Sequence, residues 1–281
     1  MRFAKEQDAL GGYVYPVSIQ DPFQGDGARY LPISFIADAV LEEVDILELG
    51  CLWTDEIGTA AVWHELLNLG IPVAMSAGSD VMNDLYRTMA IGATRVYVKP
   101  NGPMTADNYL KALKQGRSFI SNGPQLIFSV DGKEVGQVIA ANSKKVNWDL
   151  DVYSPVAYEK VEIFVNGNLV WTKTNKKGAG AQSYSGSIEI QSGGWVTARV
   201  SGGESEWPMM DSYPFAESSP IWFGEIGSTM AVSKIESAKK LLKALDVSEQ
   251  RMKEGYGENP IPNLLDHFAK ARQKLLKIIE E

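Results

Sequence analysis

The chain has 281 residues, 44% hydrophobic and 22% charged, with a formal net charge of −8 and a single cysteine. That length allows one large core or two ordinary ones, and the composition is that of a soluble globular protein. The acidic balance, with a pI near 5.0, argues against a nucleic-acid surface. The lone Cys51 excludes an intrachain disulfide and a cysteine zinc cage, and no apolar run reaches the length of a membrane span or a signal-peptide core.

From the N-terminus to Asn122 short apolar runs alternate with helical stretches. Residues 1–10 read as the end of a helix leading into "GGYVYPV". The runs "YVYPVS", "VDILELG", "IPVAMSAG" and "TRVYVKP" predict strands. "ISFIADAVLEE", "AAVWHELLNLG" and "TADNYLKALKQG" carry apolar residues at helical spacing. Gly70 and Gly116 stand where a helix would end, and Thr105 where one would be capped. Alternating strands and helices predict an α/β layer with largely parallel strands. Acidic residues outnumber basic ones here, which suits divalent cations or simply solvated helix faces.

After Gly123 the helical pattern vanishes. "QLIFSV", "VNWDLDVY", "KVEIFV", "LVWTKT", "YSGSIEI" and "WVTARVS" predict an antiparallel, immunoglobulin-like β-sandwich over 123–227. Asn166-Gly167 between two apolar runs is a hairpin turn. Without cystines the sandwich must rely on packing, with Trp148, Trp171 and Trp195 as expected core residues. From Ser228 two amphipathic helices, separated by "GENPIP", predict a helical hairpin with Leu264, Phe268, Leu275 and Ile279 in its second stripe. This lysine-rich pair is expected to pack on the sandwich or a partner chain, with a membrane surface as the other option.

The stretch "GIPVAMSAGSDV" delivers Asp80 at the end of a buried strand, at the edge of an α/β sheet where ligands and metals bind. Asp80 serves equally as a cap for the following turn. Glu48, ending "VDILEL", faces the same edge, or is a plain strand-end carboxylate. Arg87 and Arg95 either hold an anion or lock the loop to the sheet. Arg117 and Asn122 in "GRSFISNGP" are expected to tie the last helix of the layer to the sandwich. His64 reads as structural and His267 as solvent-facing. Cys51 lacks a partner in sequence that would make it a nucleophile. No phosphate loop, dinucleotide fingerprint or Ser-His-Asp set is present.

The order "VDILEL", "WHELLNLGIPVAMSAGSD", "GATRVYV", "ALKQGRSFISNGP" and "VDGKEVG", with "WVTARVSG" and "FAESSPIWF" later, resembles the carbaryl-hydrolase-like (CehA/McbA-like) metallohydrolases of the PHP superfamily, over roughly residues 3–226. The resemblance implies a distorted (β/α) barrel whose strand-end histidines and carboxylates hold divalent metal (Zn or Mn), followed by a β domain. Such metals polarise an ester, carbamate or phosphoester and supply a hydroxide. The chain departs from this pattern at several places. It starts after the family's His-x-His strand. Tyr15 precedes Pro16 where a histidine is expected, Met82 stands two residues after Asp80, and Glu217 occupies the late histidine position.

The expected architecture is therefore α/β plus all-β: a partial PHP-like barrel (1–122), a β-sandwich (123–227) and a helical tail (228–281). The site would comprise Asp80, Arg87 and Tyr15, with Asp80 and Glu48 as metal ligands. The chain reads as the C-terminal portion of a metal-dependent hydrolase, or as a degenerate one, inactive without the missing histidines. An open barrel edge must be covered, by a second copy in a homo-oligomer or by the tail. The other reading is a non-catalytic sandwich module binding a partner or carbohydrate, for which Trp207, Tyr213 and Trp222 would form an exposed aromatic row.

Overall fold

The computed structural model describes residues 1–81, 90–140, 145–190, 193–207, 209, 212–257 and 262–281. Helix α1 (Arg2–Glu6) leads into β1 (Gly12–Tyr13), a 3-10 turn (Gly27–Tyr30), α2 (Phe35–Val40), β2 (Ile46–Gly50), α3 (Glu56–Asn68) and β3 (Ala74–Ala77). Strands β1, β2 and β3 form a parallel three-stranded sheet in that order, as the alternating pattern predicted. The sheet does not close into a barrel among the described residues.

The next strand breaks the parallel pattern. Strand β4 (Arg95–Val98) is followed by α4 (Ala106–Lys114) and β5 (Ser118–Ser121). The side chain of Thr105 caps α4 by accepting from the Asn108 N–H at 3.2 Å. Gly116, at φ +66°, then turns the chain back, so β4 and β5 pair antiparallel. "TRVYVKP" is thus a strand, but not one of the parallel layer.

The β-rich part runs through β6 (Gln125–Val130), β7 (Lys133–Glu134), β8 (Val138–Ile139), β9 (Lys145–Ser154), β10 (Lys160–Val165), β11 (Asn168–Thr174), β12 (Gly180–Glu189), β13 (Gly194–Ser201), β14 (Phe215–Ser218) and β15 (Ile221–Phe223). These strands make two sheets. One has the order β12-β9-β6-β7, and the other contains β11-β10-β13-β14-β5-β4 with β15 and β8 attached. In β9 burial alternates residue by residue, with Val146, Trp148, Leu150 and Val152 inside. That is the period-two pattern of a strand with one face in a core and one in water.

Strand β13 is buried along its whole length, and its two faces serve different cores. Val196, Ala198 and Val200 join the sandwich interior, while Trp195 packs with the α/β core. The neighbouring β14 divides likewise, Ala216 facing the sandwich and Phe215 the α/β side. The eight-stranded sheet is therefore a wall shared by both cores, and β4 and β5 carry it back across the position expected to separate them. Of the three tryptophans expected in the sandwich, Trp148 and Trp171 meet edge to face at 4.8 Å. Trp195 instead lies on the other face, 6.5 Å from Trp63 of α3.

The tail is a helical pair, α5 (Ala231–Tyr256) and α6 (Pro262–Glu280). It packs on α2 and α3, not on the sandwich, and Phe268 and Leu275 enter the α/β core. Glu65 of α3 accepts hydrogen bonds from Ser237 and Lys240 of α5, each at 2.5 Å. His267, expected to face solvent, is 9% exposed and bonds Asp38 of α2 at 2.5 Å. It faces inward because α6 docks through the face that carries it.

Candidate functional site

Parallel strands aim their carboxyl ends at one edge, and three loops meet there. The chain leaves β1 and reaches Tyr15 two residues later; Glu48 lies within β2; Asp80 follows β3 by three residues. The Tyr15 N–H donates to Glu48 Oε2 at 3.3 Å, and the Tyr15 hydroxyl bonds the Asp80 carboxylate. The Cys51 thiol bonds Glu48. Gly78 leaves space beside Glu48, since a Cβ there would stand 3.3 Å from Oε1. The structure thus brings Tyr15, Glu48 and Asp80 together. Arg87 lies outside the described residues.

The backbone holds this arrangement at some cost. Tyr15 has φ +50° and Asp80 φ +46°, the left-handed region that non-glycine residues seldom occupy. Two such residues in contact at one strand edge are the kind of local strain that surrounding structure must hold in place. The electrostatics agree. Burial raises the Glu48 carboxyl above its ordinary range, against the Tyr15 N–H and the Cys51 thiol, and the Asp80 charge pushes it further up. The hydrogen bond to Asp80, together with burial, raises the Tyr15 hydroxyl. Burial and the Glu48 charge push the Cys51 thiol up to about 12. Such a thiol stays protonated and is no nucleophile at neutral pH.

Two carboxylates and a neighbouring hydroxyl are hard oxygen donors, and the thiol beside them is a soft group that stays protonated. Oxygen donors of this kind suit Mn²⁺ or Mg²⁺ better than zinc, but in this cluster Glu48, Cys51 and Asp80 do not bring three donor atoms within 4.8 Å of one another. Neither histidine is part of it. His64, fully inside, is 3.3 Å from Glu217, the residue at the expected late histidine position. Glu217 is paired across the sheet with Arg199 and bonded to its guanidinium. Burial lowers His64, so the ring is neutral, and the acceptor-only carboxylate requires Nε2 to carry the proton. Burial alone would raise Glu217, but Arg199 and His64 hold it below the usual carboxylate range. This is an ion pair that closes the wall between the cores.

A second group, Asp38, Glu43 and His267, brings three potential donor atoms within 4.8 Å of one another. Asp38 is already engaged there by the Tyr13 hydroxyl as well as by His267. Arg95 donates to the Gly92 carbonyl and to the Tyr97 hydroxyl at 2.6 Å, locking its own loop. Asn122, just after β5, donates to the Tyr213 carbonyl at 2.7 Å and accepts from the Phe215 N–H at 2.8 Å, so it fastens β5 to the neighbouring β14 and not the last helix to the sandwich. Arg117 reaches Asn101 instead.

One residue that the sequence did not single out is Glu56, in the first turn of α3. It is 8% exposed, and burial together with the Asp55 charge pushes its carboxyl up to about 7, against hydrogen bonds from its own backbone, Ser212 and Tyr213. An acidic residue in a first helical turn is ordinary, so only its burial by a distant segment sets it apart. The aromatic row expected for a carbohydrate-binding surface does not form. Trp207 is exposed, but Trp222 lies in β15 at 2% exposure and Tyr213 packs against the α/β core.

No family model matches the chain, and no curated protein matches it. A solved structure named pT26-6p is similar at 12% identity and a TM-score of 0.26, over 62% of this chain and 43% of its own. The chain thus spans less than half the length of that structure.

Proposed function

We propose that the chain carries the carboxylate part of a divalent-metal site of the PHP hydrolase type, acting on the ester, carbamate or phosphoester class when histidine ligands complete it. The observation that carries this reading is the convergence of Tyr15, Glu48 and Asp80 at the ends of adjacent parallel strands, with Tyr15 and Asp80 both in left-handed backbone. Glu48 and Asp80 would hold the cation, and Tyr15 would orient the Asp80 carboxylate through its hydroxyl. A bound metal would polarise the scissile carbonyl or phosphoryl oxygen and lower the pKa of its water. With no histidine in the cluster, the described residues hold the metal weakly and turn substrate over slowly or not at all. A partial barrel of this kind, followed by an immunoglobulin-like sandwich, would leave β1 as a sheet edge for a second copy of the chain.

The test is calorimetric titration with Mn²⁺ and Zn²⁺, alongside an assay with an aryl ester and an aryl carbamate. Wild type is expected to bind Mn²⁺ weakly, and Asp80→Ala to lose that binding with its melting temperature little changed. Unaltered Mn²⁺ binding in Asp80→Ala would remove Asp80 from the site and the reading with it.

A further inference from the structure

Beside the carboxylate cluster lies a cleft of about 430 Å³, lined by the turn from Cys51 to Glu56 and, across from it, by Met209, Ser212 and Tyr213. Its chemistry differs from that of the cluster. Trp53, 55% exposed, contributes a large aromatic surface, and Tyr213 a second one. Asp55 and Glu56 contribute two carboxyl groups, and no Lys, Arg or His is among the described residues that line it. Thr54, 7% exposed, lines the same cleft, and its buried hydroxyl has no hydrogen-bond partner among the described residues. A buried hydroxyl without a partner is costly, and it marks a polar group that a ligand or water can satisfy.

We propose that this cleft binds a small organic cation, an aromatic or alkyl ammonium, with its charge against Glu56 and its apolar part against Trp53 and Tyr213. Aromatic faces and carboxylates without a competing cation are the surroundings that select a desolvated ammonium group over a neutral molecule of the same shape. An anion is disfavoured there by both carboxyl groups. The inference does not rest on the hydrolase reading, because neither Glu48 nor Asp80 lines the cleft.

Protonation gives the site a pH dependence. The groups facing Glu56 are Asp55 on its own helix and Ser212 and Tyr213 across the cleft, with Cys51 further along the wall. Arg199 acts on Tyr213 from behind, but its charge is taken up by Glu217. A cation binds the ionised Glu56 and not the acid, so affinity rises as pH passes upward through about 7.

The experiment uses benzyltrimethylammonium, whose charge does not change with pH, followed by calorimetry and tryptophan fluorescence, with benzyl alcohol as the neutral control. The cation is expected to bind saturably at pH 8, more weakly at pH 6, and far better than the alcohol. Glu56→Gln should weaken it about tenfold and remove the pH dependence, and Trp53→Ala should weaken it by a similar factor. If Glu56→Gln does not fold, the wild-type pH profile and Trp53→Ala decide the matter. Equal binding of cation and alcohol, no saturable binding at pH 8, or a pH-independent affinity overturns the proposal. Asp80→Ala separates the two readings: it should abolish Mn²⁺ binding and leave the ammonium affinity as it was.

Discussion

Glu56 and Glu217 are both buried carboxyl groups, and their neighbours move them in opposite directions. Glu56 lies among groups that offset its burial only in part, so its folded pKa is raised from 4.5 to about 7. Its contribution to stability is present below pH 4.5 and is lost as pH rises through about 7. Between those limits wild type should lose about 3 kcal/mol relative to Glu56→Gln, measured by urea unfolding at a series of pH values. Glu217 has Arg199 and His64 as partners, and its folded pKa is depressed. Its contribution is present above the ordinary carboxylate value and is lost as pH falls through the lower folded one. Replacing it by alanine leaves the Arg199 charge buried without its carboxylate, so Glu217→Ala is expected to cost about 3–5 kcal/mol at pH 7. A loss below about 1 kcal/mol would show that Arg199 finds water or another acceptor.

At the scale of elements, the β10–β11 hairpin joins the two cores. Asn166 and Gly167 take φ +50° and +77°, as a two-residue turn of type I′ needs. The turn also reaches outward. Asn166 Oδ1 accepts from the Trp195 N–H at 2.9 Å, and its carbonyl accepts from Asn68 of α3 at 3.2 Å. Asn166→Ala keeps the chain but gives up the side-chain bond and the asparagine preference for left-handed backbone. A loss of about 2–3 kcal/mol is expected in thermal unfolding. Asn166→Gly, which restores the backbone freedom only, should recover part of it. Equal melting of all three chains would mean that the turn is held by its strands alone. Asn-Gly marked this turn in the sequence; that it caps Trp195 and grips α3 did not show there.

Across the whole molecule, the tail helices, the α2–α3 layer and one face of the shared sheet make one core. All seven tryptophans precede the tail, which gives a direct test. Phe268→Ala, at a site 1% exposed, is expected to cost about 3–5 kcal/mol and to lower the unfolding midpoint read by tryptophan fluorescence. A tail that folds as an independent unit would lose helix in circular dichroism with no change in the fluorescence midpoint. The same docking turns His267 inward and leaves α5 and α6 as cover for the helical side of the parallel sheet.

Local pattern was enough to establish the order of strands and helices, the Thr105 cap, the Asn166-Gly167 turn and the alternation of β9, because each depends on spacing within a few residues. It also put Asp80 and Glu48 at one strand edge, since parallel strands carry their ends to the same side. What local pattern does not contain is which face of a fully buried strand meets which neighbour. An unbroken apolar run such as β13 looks the same whether it lines one core or divides two, and so Trp195 was expected in the wrong one. For the same reason the partners of His64, Glu56 and His267 were hidden: each is set by a segment far along the chain. Only the packing of the sheet against α3 and of the tail against α2 brings those groups together.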